Sequence, residues 1–170
     1  MALVLDTTVG GAAANSYASV EQADAYHAAR AFNSAWTQAT VPEKARVLAW
    51  ATRLMDNEVY EGSKTFSDGA LRWPRIGVLD REGDFQPHLE LPRELVWATA
   101  EFAFILLTED RTEDAGGLVQ YGGKVGPVTD PTVYERNVIP ASVKDMISHL
   151  MVNGAGIGAR GSRNSRVRRA

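Results

Sequence analysis

The chain contains no cysteine, so it can form no disulfide, no thiolate metal site and no cysteine nucleophile. Histidine is nearly as scarce. His27, His88 and His149 fall in three separate segments with no metal-ligand spacing among them. The longest apolar stretch, Leu95 to Leu107, is interrupted by Thr99 and Glu101. It is also shorter than the ~20 residues a bilayer span needs, which predicts a buried helix and no membrane partner. The opening Met1-Ala2-Leu3-Val4-Leu5-Asp6 lacks the basic and long apolar regions of a signal peptide. Phosphate-binding loops are missing too. Gly122-Gly123-Lys124-Val125-Gly126 lacks both the Walker spacing and the Ser/Thr after its lysine. Gly154-Ala155-Gly156-Ile157-Gly158 follows a predicted helix rather than a strand, so it is no dinucleotide fingerprint. These absences predict a protein that is not an enzyme and has no cofactor or metal.

What is present is one domain's worth of chain. It has 170 residues, 45% of them hydrophobic, enough to bury a substantial core. The net charge of −3 hides an asymmetry: 13 basic against 21 acidic residues leave positions 1–153 at −8, and five arginines follow. Residues 1–14 read as an extended arm, 15–153 as a helical domain and 154–170 as a flexible arginine-rich tail.

Four helices are expected. Ser19-Val20-Glu21-Gln22 is a capping box that opens a helix running to about Ala31. Asp24 and His27 sit one turn apart on it, which predicts a surface pair. Thr40-Val41-Pro42-Glu43 opens a second helix, whose apolar stripe is Ala45, Leu48, Ala49, Thr52, Met55 and Val59. Residues 61–90 carry repeated glycine and proline and read as a long irregular connection. Pro92 starts a third helix that is apolar nearly all round, and so either central to the fold or shared with a neighbouring subunit. That pattern predicts an oligomer. A small β-hairpin or extended arm is expected within 118–135, between the last two helices. Ile139-Pro140 opens the final helix, with Val143, Met146, Ile147 and Leu150 as its stripe.

Two local features invite a role. Arg160, Arg163, Arg166, Arg168 and Arg169 are spaced by small residues; they suit either nucleic-acid phosphates or an acidic groove on a protein partner. The tail has no aromatic residue for base stacking and the body is acidic, so a protein partner is favoured. Trp73-Pro74-Arg75 is the other feature. Its tryptophan is expected to pack the long loop down, and its arginine to stack on that ring or pair with a carboxylate.

Several segments in order carry a resemblance. Asn15-Ser16-Tyr17 through Tyr26 resembles an "NSY-SV-EAD-Y" opening, and Ala51-Thr52-Arg53-Leu54-Met55-Asp56 an "ATR-LD" segment. Leu71-Arg72-Trp73-Pro74-Arg75-Ile76-Gly77-Val78 with Asp80 resembles an "L-WPR-GV-D" loop, and Ile139-Pro140 a return into the last helix. Together these are similar to tailed-phage head-to-tail adaptor proteins, a family that includes sequences labelled DnaT-like single-stranded-DNA-binding proteins. The resemblance covers roughly residues 15 to 150 and implies an adaptor-type four-helix bundle with flexible termini. It implies a virion protein, made in the host cytoplasm, that forms a dodecameric ring under the portal and connects it to the tail, with packaged DNA passing through the lumen. In that picture the arginine tail reaches the portal. Tyr121, Lys124, Val125, Val128 and Tyr134 make intersubunit or tail-facing contacts, and Tyr17, Trp73, Pro74 and Arg75 are structural. The alternative is a DnaT-like protein that binds single-stranded DNA.

Overall fold

A computed structural model describes residues 3–112, 124–125, 128–129 and 138–152. The described chain is mainly helical, as expected, but it has five α-helices rather than four. They are α1 (Val20–Ala28), α2 (Ser34–Gln38), α3 (Val41–Met55), α4 (Arg93–Leu106) and α5 (Ala141–Ile147), the last followed by a 3₁₀ turn, Ser148–Leu150. Two short antiparallel pairs complete it: β1 (Ser63–Lys64) with β2 (Arg75–Ile76), and β3 (Lys124–Val125) with β4 (Val128–Thr129). The second pair falls in the segment where a hairpin is expected. The first does not, since 61–90 reads as irregular. No helix among the described residues is long and apolar enough to cross a membrane.

Local chemistry explains the helix starts. Ser19 Oγ accepts from the Gln22 N–H while the Gln22 side chain accepts from the Ser19 N–H, and Thr40 with Glu43 forms the same reciprocal box. Helix ends follow tertiary demands instead. α1 stops at Ala28 rather than near Ala31, its His27 carbonyl accepting from the Arg30 N–H and the Asn33 side chain; Phe32 then takes φ 59 and the separate short α2 follows. α3 ends at Met55, so Val59, expected on its apolar stripe, is exposed.

α4 is the centre of the core. It packs against α3, α5 and α1, and α1 also touches α3. Leu95, Ala98, Ala100, Phe102 and Ala103 of α4 meet Leu48, Ala51 and Met55 of α3 and Val143 and Ile147 of α5 in one buried cluster. Thr99 is buried there without cost in unpaired polar groups, because its hydroxyl donates to the Leu95 carbonyl at 2.8 Å. The segment expected as an extended arm is folded back on the body. Asn15 bonds Asp6 and the Val4 carbonyl, and the Ala70 N–H donates to the Gly11 carbonyl.

His27 overturns the expected surface pair with Asp24. Its ring is 1% exposed, packed 4.5 Å from Trp36 and 5.4 Å from Phe104. Asp24 pairs instead with the Trp36 indole N–H at 2.7 Å and the Lys44 ammonium at 2.8 Å. His27 Nε2 lies 3.1 Å from the Ala100 carbonyl and must therefore donate to it; Nδ1 is buried without a partner. Burial holds the His27 pKa below its ordinary value, outweighing the Ala100 carbonyl and the nearby Glu101 and Asp24, with Arg30 adding to the depression. His149 is depressed in the same sense, by burial and then by Arg81, against the opposing Glu94, Asp80 and Glu82. Both groups bind a proton less readily folded than unfolded. Their contribution is thus complete above the ordinary histidine pKa of 6.5 and is lost as pH falls below it. Urea unfolding midpoints should be level at neutral pH and decline below about pH 6.5, with a smaller decline in His27→Gln. A wild-type midpoint unchanged through that range would contradict this burial.

Candidate nucleic-acid interface

The solvent face of α3 carries Arg46, Trp50, Arg53 and Asn57 at spacings of four, three and four, which aligns them on one stripe running just past the helix end. All four are exposed, and the Trp50 indole, 38% exposed, is the largest apolar surface among them. Arg53 sits 5.8 Å from the Trp50 ring centroid. The stripe borders a groove of about 480 Å³ whose opposite wall is built from Leu3, Ala14, Asn15, Ala70 and Leu71. The folded-back N-terminal segment and the 70–72 loop therefore form one side, and α3 the other.

Among the described residues Asp56 is the one acid lining this groove, and its carboxylate is already engaged. It accepts from the Tyr17 hydroxyl and, at 2.9 Å, from the Arg72 N–H. Tyr17 is 1% exposed; burial and then the Asp56 charge raise its pKa, so the phenol stays protonated and donating. With Asp56 so occupied, Arg46 and Arg53 line the groove with the Trp50 ring, and the exposed Arg72 follows its Leu71 wall, on a body whose net charge is otherwise acidic. A flat ring flanked by guanidinium groups can stack a base and neutralise the phosphates beside it.

The residues predicted from sequence are placed differently. Trp73 is 1% exposed and edge-on to Tyr60 at 5.6 Å, behind a cis Trp73–Pro74 peptide, with its indole nitrogen buried and unpartnered. Arg75 neither stacks on Trp73 nor pairs with a carboxylate, as was expected. It donates to four backbone carbonyls instead: Tyr60 at 3.2 Å, Glu61 at 2.6 Å, Gly62 at 2.7 Å and Arg72 at 3.2 Å. The fork suits this because five N–H donors in fixed geometry can hold several strands of loop at once. Gly62 adopts φ +68, and a Cβ there would lie 2.1 Å from the Ile76 carbonyl oxygen, so the arginine-held loop admits only glycine at that point. Lys124, Val125 and Val128 fall in the β3–β4 pair. Tyr121, Tyr134 and the tail residues Arg160, Arg163, Arg166, Arg168 and Arg169 lie outside the described residues.

Sequence reading passed over the α3 stripe. The signal was available as Arg46-x3-Trp50-x2-Arg53, on the face opposite the apolar stripe, but exposure of the tryptophan is settled only by what packs beside it.

The fold and this face define a small helical domain with an arginine-flanked aromatic groove. The chain belongs to the family described as "Putative DnaT-like ssDNA binding protein", which matches over residues 1–170. Comparison with curated proteins and with solved structures finds no match.

Proposed function

We propose that the chain binds single-stranded nucleic acid along the Arg46–Trp50–Arg53 face of α3. The observation that carries this reading is an exposed tryptophan between arginines, lining a groove whose one carboxylate is tied up internally. The family description supports it. In this mechanism Trp50 stacks on a base while Arg46, Arg53 and Arg72 meet flanking phosphates, and the acidic remainder keeps the footprint short. Fluorescence anisotropy with a labelled oligothymidine across a salt series tests it. Three phosphate contacts predict a slope of about −2 in log affinity against log salt. Trp50→Ala should weaken binding roughly 5- to 150-fold, from the ~1–3 kcal/mol that stacking contributes per base. Binding that survives Trp50→Ala together with Arg53→Glu, yet disappears when residues 154–170 are removed, would move the activity to the tail.

A second reading is the structural one: a virion head-to-tail adaptor, ring-forming, docked on the portal and on the next connector or tail protein, with DNA passing through. Its support is that the resemblance segments converge on one node. The Tyr17 N–H donates to Thr52 Oγ1 at 3.1 Å, and Asp56 joins Tyr17 to Arg72, so positions 15–26, 51–56 and 71–80 brace one another. The half-buried apolar flank of α4 (Val96, Ile105, Leu106) suits a subunit contact. Electron microscopy of the chain mixed with portal protein separates the readings: ring density on the portal supports the adaptor, and an unaltered portal refutes it.

A further inference from the structure

The α1–α4 side of the molecule holds a groove of about 820 Å³ that the nucleic-acid face does not use. Ala25 and Ala29 are small enough to leave it open, Val96 and Leu91 give it an apolar floor, and Tyr26 and Trp97 give it aromatic walls. Arg93 holds its guanidinium over the Trp97 ring, 3.7 Å from the centroid, exposed and with no acidic partner among the described residues. The groove is thus shaped for an apolar or aromatic side chain and charged for a carboxylate beside it.

The same chain displays such a group elsewhere. Residues 79–85 form a tight hairpin in which Leu79 and Phe85 pair, and Asp80 Oδ1 accepts from the N–H groups of Glu82, Gly83 and Asp84 at 2.8–3.0 Å. Gly83 takes φ +99 at the tip, and Arg81 moors the turn to α5 through the Asp145 and Met146 carbonyls, each at 3.0 Å. The result is a preorganised projection carrying Phe85, 77% exposed, next to the exposed carboxylates of Glu82 and Asp84. An aromatic ring of that exposure on a fixed turn is unfavourable in an isolated chain and loses little entropy on docking.

We infer that the Asp84–Phe85 hairpin of one copy docks in the Arg93–Trp97 groove of a second copy. The ring of Phe85 fills the groove, and Asp84 or Glu82 meets Arg93. Knob and groove are separate surfaces, one moored to α5 and one lined by α1; a reciprocated contact closes a two-fold dimer, and an unreciprocated one propagates into a ring or open chain. It involves none of the α3 stripe and stands independently of what that face binds.

The experiment is light scattering coupled to size exclusion on the full chain, with circular dichroism to confirm that each variant is folded. Wild type should form dimers or larger assemblies. Phe85→Ala, which removes the knob, and Arg93→Glu, which reverses the groove, should each elute as monomers, with association at least about tenfold weaker. Mixed, they should form one-to-one pairs, because each retains the half the other lost. A wild-type monomer at high concentration would overturn the inference. So would folded single variants of unchanged mass, or a mixture that stays monomeric.

Discussion

Phe102→Ala is expected to destabilise the chain by about 3–5 kcal/mol, the range for emptying a large aromatic site in a packed core. Phe102 is fully buried on α4, the helix that α1, α3 and α5 pack against. Removing its ring therefore leaves a cavity with helices on several sides, and none can close it without losing its own contacts. Phe104, two residues on, provides the internal comparison. It is only half-buried, beside His27 at 5.4 Å and under the Arg30 guanidinium at 3.9 Å. Arg30 can relax toward solvent in Phe104→Ala, so that loss should be clearly smaller. Urea titration followed by circular dichroism measures both. The midpoint should fall with little change in slope, and equal losses for the two variants would contradict the central place of α4.

Arg75→Met should cost about 2–4 kcal/mol, nearly as much as a core truncation, although the residue is only partly buried. Four carbonyl groups converge on its guanidinium, and hydrogen bonds from a charged donor are worth roughly 1.5–3 kcal/mol each when the partners have no substitute. Burial lowers the Arg75 pKa, with Arg72 adding to the effect, but an arginine so placed keeps its charge at neutral pH. Arg75→Lys keeps the charge and loses the fork, so it should recover less than half of the loss. The effect should be regional as well. Amide exchange should rise across 60–76, where the carbonyls lie, and stay unchanged in α4. Full rescue by lysine would show that charge alone, rather than the fork, holds the loop.

Much of the helical layout was legible in advance for a local reason. The capping boxes at Ser19–Gln22 and Thr40–Glu43, and the prolines at 92 and 140, act within one turn of chain, so their effect survives whatever surrounds them. The misses are of the opposite kind. The β1–β2 pair joins Ser63 to Ile76 and Lys64 to Arg75 across an intervening loop, and runs of two residues leave no periodic trace. α2 exists because Trp36 is drawn inward to Asp24 and His27, a demand set by α1. His27 read as a surface residue because Asp24 lies one turn before it; α4, reached only through the fold, helps bury it. The same holds for the candidate site. Arg46, Trp50 and Arg53 share a face by helical spacing alone, but the groove beside them is made by residues 3–15 and 70–71.

The amino-acid sequence by itself determined the absence of thiol chemistry, the acidic body with its arginine-rich end, the helix starts and the central apolar helix. Each depends on composition or on interactions within a single turn. Tertiary structure alone decided which aromatic residues face solvent, where Arg75 and His27 spend their hydrogen bonds, and which surfaces are grooves. Those outcomes depend on contacts between segments tens of residues apart, and no local pattern encodes which segment arrives.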